Sequence, residues 1–127
     1  MNTNNKKNIV IKIGTTSIIK NDNVDITLLK SLAELIIENN NKFNFVVVTS
    51  GAVGLGATKL NYKSRPKSLK RLQVASAVGQ IELINQYEKI FKDKKMNIAQ
   101  VLITKNLIDD REQFVNTTQA LNELLSQ

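Results

Sequence analysis

The sequence predicts an α/β fold built around a parallel sheet, and three observations carry that prediction. Residues 9–13 (Ile-Val-Ile-Lys-Ile) and 45–48 (Phe-Val-Val-Val) are short, β-branched runs of the kind that form strands inside a sheet, the second reading as buried on both faces. An amphipathic stretch of helical period, residues 26–38, lies between them, so the order is strand, helix, strand. Each run ends in a glycine-containing turn: Gly14-Thr15-Thr16-Ser17 after the first, and Ser50-Gly51-Ala52-Val53-Gly54-Leu55-Gly56 after the second. A right-handed crossover makes the strands parallel and brings both turns to one rim, where open α/β sheets place their ligands.

Composition narrows the chemistry. A length of 127 residues suits one domain with a real core, and is short for a complete kinase or dehydrogenase. With no cysteine and no histidine, thiol catalysis, cysteine-ligated metal and the usual imidazole base are excluded. Lysine, arginine, carboxylates, hydroxyls and backbone amides remain. No apolar run reaches membrane-span length, and residues 1–8 are too polar for a signal peptide, so a cytoplasmic protein without membrane attachment is expected. The net charge of +7 fits either nucleic acid or a cleft for acidic metabolites. Much of it lies in Lys59, Lys63, Arg65, Lys67, Lys70 and Arg71, a segment that also reads as a solvated loop entering a helix. Without interleaved aromatics beyond Tyr62, nucleic acid is not expected to be the partner.

In the first strand the anomaly is Lys12, an ammonium within an apolar run. Burial would require an anion beside it; next to Gly14 and Thr15 it can reach past the sheet's end to a phosphate. It equally suits the solvated face of an edge strand. Asp25 is a good N-cap for the helix that follows, Val24 and Leu29 have staple spacing, and Asn39-Asn40-Asn41 ends it. The turn after the second strand supplies backbone N–H donors and reads as the floor of an anion site. It is not a P-loop, because Ala57 stands where that motif needs lysine, and its glycine order is not that of a dinucleotide fold. Pro66 suits the first turn of a helix running from 69 to about 92, where small residues (Ala75, Ser76, Ala77, Gly79) admit another backbone. Residues 98–104 read as a third strand, and Asp109-Asp110-Arg111-Glu112 opens a last helix, which is still running as the chain ends at Gln127.

Taken together, Ile11-Lys12-Ile13-Gly14-Thr15, Val48-Thr49-Ser50-Gly51-Ala52-Val53, Arg65-Pro66-Lys67, Ala77-Val78-Gly79-Gln80, residues 99–104 and residues 110–116 resemble the amino acid kinase family. Within it, the Ala-Val-Gly-Gln and Asp-Arg-Glu stretches are similar to the branch that phosphorylates the side-chain carboxylate of L-glutamate for proline biosynthesis. The resemblance implies a three-layer sandwich with a mostly parallel sheet, of which residues 1–127 form the N-terminal, substrate-binding part. The later acidic motifs and the nucleotide-binding half are absent, as in a fragment, a truncated gene product or one piece of a split enzyme. It implies ATP as co-substrate with Mg²⁺, and leaves room for a homo-oligomer. By the same resemblance Lys12 stabilises the transferring phosphoryl group, Gly14 and Thr15 approach the ATP phosphates, Ser50, Gly51 and Ala52 hold glutamate, and no metal ligand is assigned. Two alternatives stay open: the kinase part of a bifunctional pyrroline-5-carboxylate synthase, and a non-catalytic module that binds glutamate or a partner.

Overall fold

The computed structural model describes residues 6–127. Residues up to Asn97 form one compact unit and Ile98–Gln127 another.

In the first unit, strand β1 (Lys7–Ile13) pairs in parallel with β4 (Phe43–Thr49), with Ile9 opposite Phe45, Ile11 opposite Val47 and Ile13 opposite Thr49. Helix α2 (Ile26–Asn39) makes the crossover. It starts as its sequence dictates: the Asp25 carboxylate accepts a hydrogen bond from the Leu28 N–H at 3.0 Å, and Val24 and Leu29 are both buried. Because strand side chains alternate, Ile11, Ile13, Phe45 and Val47 share one face. They join a single core with Leu29, Leu32, Ala33 and Ile36 of α2 and with Leu83, Tyr87, Ile90 and Phe91 of α4 (Leu69–Asp93).

The opposite face bears Val10, Lys12 and Val48, of which Val10 is 65% and Val48 49% exposed. The expectation that the 45–48 run is covered on both faces is therefore corrected. Its continuous apolar character does not report which face is packed, and among the described residues the helices of this unit lie against one side only.

Between β1 and α2 the chain makes a short helix α1 (Thr15–Ile18) and a hairpin, β2 (Ile19–Lys20) with β3 (Asn23–Val24). Asn21 and Asp22 take φ of 50° and 60°, the geometry of a two-residue primed turn, which these residue types tolerate.

After β4, the glycine-rich turn is shorter than the sequence suggests. Only Ser50 and Gly51 lie outside regular structure; Gly54 and Gly56 belong to helix α3 (Ala52–Lys59). Their role is packing: a Cβ on Gly56 would fall on the Ala75 carbonyl, and one on Gly79 on the Ala52 carbonyl. Small residues four apart on both helices, Ala52 with Gly56 and Ala75 with Gly79, bring the backbones together. Pro66 lies ahead of α4 rather than in its first turn. Ser68 caps that helix, its hydroxyl accepting from the Arg71 N–H at 3.4 Å.

The second unit corrects a further expectation. Residues 98–104 form no strand, because a strand is a set of ladder hydrogen bonds and no described strand pairs with this segment. Leu102 is 71% and Ile103 57% exposed. A short helix α5 (Lys105–Asp109) follows, then α6 (Arg111–Ser126). Asp110 caps α6 through the Gln113 N–H at 3.0 Å, while the Gln113 side-chain amide returns to the same carboxylate at 3.0 Å.

Candidate active site

The carboxyl ends of β1 and β4 are tied together where the Ser50 N–H donates to the Ile13 carbonyl at 3.1 Å. Just beyond this bond a cleft of about 330 Å³ opens, within the size range of small-molecule sites. Thr15 contributes from the start of α1, Thr49 to Gly54 from the end of β4 and the first turn of α3, Ser76, Gln80 and Leu83 from α4, and Arg65 from the intervening loop.

Its floor is held by a hydrogen-bonded chain. The buried Tyr87 hydroxyl donates to Thr49 Oγ1 at 3.0 Å, and the Thr49 hydroxyl donates in turn to the Ser50 carbonyl at 3.3 Å. Burial pushes the Tyr87 phenol above its ordinary pKa, opposed by the bond to Thr49. Gly51 sits at φ 111°, in the left-handed region, with Ile18 and Ile19 side-chain carbons 3.0 Å from where a Cβ would stand. That conformation turns the chain from strand to helix within one residue. The first α3 acceptor, Gly51 C=O, takes the Leu55 N–H, so the N–H groups ahead of Leu55 have no intrahelical partner. They are donors available to an anion.

Of the residues read from the sequence, the structure brings Thr15, Ser50, Gly51 and Ala52 together as cleft lining. Lys12 and Gly14 do not line it. Lys12 stands opposite Val48 on the uncovered face of the sheet, exposed, one residue before the strand's end. Gly14 is the extended residue that caps α1, with open space around its α-carbon.

Sequence reasoning missed Ser76 and Gln80 as lining residues and left Arg65 within an undifferentiated basic segment. The structure separates that segment. Lys59 pairs with Glu82 at 2.9 Å, which together with Gln86 holds the Glu82 carboxyl below its usual pKa. Arg71 lies over the Tyr62 ring, 5.6 Å from its centroid. Arg65 reaches the cleft and is the one charged side chain in its lining. Among the described residues, acidic side chains nowhere gather in a group of three that could hold a metal ion, and no helix is long and apolar enough to cross a membrane.

Parallel strands linked by a helix, with a hydroxyl-lined cleft and unpaired amides at their carboxyl ends, define an α/β protein whose cleft lies where open α/β sheets place their ligands. The chain belongs to the amino acid kinase family, whose pattern matches residues 7–127. It is 44% identical over 124 residues to the glutamate 5-kinase of Prochlorococcus marinus subsp. pastoris, covering 94% of this chain and 34% of that protein. The glutamate 5-kinases of Enterococcus faecalis and Clostridium tetani are 38% and 36% identical over 121 residues, covering 94% of this chain and 45% of theirs. The chain thus spans between a third and a half of the length of these relatives.

Proposed function

We propose that this chain forms the acidic-substrate part of a kinase that transfers the γ-phosphoryl group of ATP to the side-chain carboxylate of L-glutamate, giving glutamyl 5-phosphate as in the first step of proline biosynthesis. The observation that carries the reading is the cleft at the joined ends of β1 and β4, where unpaired amides, the Thr15 and Ser50 hydroxyls and the Arg65 guanidinium line one space. The names of the relatives support the same reading.

The chemistry asks little of side chains as acids or bases. A glutamate side-chain carboxylate is ionised at neutral pH, its reference pKa being about 4.3, so no proton has to be removed before it attacks phosphorus. The bond formed is carboxylate oxygen to γ-phosphorus; the bond broken is γ-phosphorus to the bridging oxygen, which leaves on ADP. Such transfers depend on positioning and on positive charge at the phosphoryl oxygens. In this reading Ser50, Gly51 and Ala52 hold glutamate, Gly14 and Thr15 approach the phosphates, and Lys12 swings its long side chain round the strand's end to the phosphoryl group. Mg²⁺ would arrive on the phosphates of ATP, since the described residues offer no carboxylate cluster for it. No residue is assigned to adenine; the length that the relatives have beyond this chain would supply that half and the remaining layer of the sandwich.

Two-dimensional amide NMR of the 127-residue chain titrated with L-glutamate tests the reading. Saturable shifts confined to residues around Ser50–Gly54 are expected, without phosphotransfer when ATP and Mg²⁺ are added to this chain alone. Absence of shifts overturns the assignment of a glutamate site. Acyl phosphate formation, trapped with hydroxylamine, overturns the division into a substrate part and a nucleotide part supplied elsewhere.

A further inference from the structure

We propose that Arg65 is the specificity residue of this cleft, clamping the carboxylate of the substrate that does not react. The inference rests on the glutamate reading above and adds to it the group that selects a dicarboxylate.

The substrate of that reaction carries two carboxylates. One must be presented to the phosphoryl donor, so the other needs its own partner. The cleft is lined by hydroxyls, an amide side chain, apolar groups, backbone and one formal charge, the Arg65 guanidinium. No acidic residue lines the cleft, and neither ion pair of the described residues involves Arg65, so its charge is not neutralised from within. Two other cations of the segment are engaged elsewhere, Lys59 with Glu82 and Arg71 with the Tyr62 ring, and Lys63, Lys67 and Lys70 do not line the cleft.

The backbone of Arg65 is also constrained. It precedes Pro66, which disfavours the helical region for Arg65, and it lies outside helix and strand. Pro66 itself is buried, anchoring the loop beside the cleft while the Arg65 side chain stays solvent-accessible at the mouth. A guanidinium is planar and presents paired N–H donors that match both oxygens of a carboxylate, which an ammonium does not reproduce.

Titrating wild type, Arg65→Gln and Arg65→Lys of the full 127-residue chain with L-glutamate, with its α-amide and with inorganic phosphate tests the assignment. Arg65→Gln is expected to weaken L-glutamate binding about tenfold to a hundredfold, the scale of one charge-assisted contact, and Arg65→Lys to recover only part of it. The wild type should bind the α-amide as weakly as Arg65→Gln binds glutamate, and the α-amide should be indifferent to the substitution. Because Arg65 is exposed, thermal unfolding should be unchanged, separating lost recognition from lost folding. Glutamate binding that is equal in wild type and Arg65→Gln overturns the role of Arg65 and leaves the glutamate site standing. A loss confined to phosphate also overturns it, assigning Arg65 to the phosphoryl group instead. A wild type that binds no glutamate overturns both.

Discussion

Two turns leave the same end of the sheet and differ in what their glycines do. After β1, Gly14 is extended at φ −77° and a Cβ there would meet nothing within 4 Å. After β4, Gly51 is left-handed at φ 111°, and a Cβ would stand 3.0 Å from carbons of Ile18 and Ile19. The second glycine is required by the chain's own packing; the first is not. What the first keeps open is space, beside a strand end where a ligand is expected. A glycine that the fold needs and a glycine that the fold can spare therefore carry different weight as evidence of function.

Substitution separates them. Gly51→Ala should destabilise most, by about 2–3 kcal/mol, combining left-handed strain with crowding against α1 and β2, as read by chemical denaturation. If its loss is within 0.5 kcal/mol, roughly the size of a neutral surface change, the contrast fails. Tyr87→Phe should remove about 1 kcal/mol by leaving Thr49 Oγ1 without its donor. It should also alter the alkaline limb of stability. Burial raises the folded pKa of Tyr87 above its unfolded value, so the phenol's contribution is full below the unfolded pKa of about 10 and is lost as pH rises through the folded one. Denaturation midpoints measured upward from pH 9 should fall less steeply in Tyr87→Phe than in wild type. Gly14→Ala should change stability least and in the opposite direction, gaining about 0.4–1 kcal/mol because alanine accepts the extended conformation and has less freedom to lose. A clear destabilisation there, in the absence of ligand, would make the two glycines equivalent.

The parallel βαβ unit was legible in the sequence because its signals are local and mutually consistent. Residues 9–13 and 45–48 lie within β1 and β4, and Asp25, Val24 and Leu29 mark the start of α2 as capping chemistry requires. What failed depended on partners. Residues 98–104 have strand composition, yet composition cannot supply the neighbouring strand that makes a ladder. Gly54 and Gly56 were legible as glycines but not as packing residues, since the requirement for Gly56 comes from the Ala75 carbonyl on another helix. The β2–β3 hairpin was open to detection: Asn21-Asp22 is a pair that accepts positive φ. Half of the cleft was readable from the Ser50-Gly51-Ala52 turn. The remainder, Arg65, Ser76 and Gln80, converges from a loop and a helix whose approach to that turn is set by tertiary packing.

The close seating of α3 on α4 has a mechanical consequence. Where Ala52 meets Gly79 there is no layer of side chains to deform, only one main chain resting on another. Ala52 also borders the cleft, so anything that presses on its wall bears directly on a 25-residue rod roughly 37 Å long. Pressure on that wall should therefore reach α4 directly, because no intervening layer of side chains lies between them to absorb it.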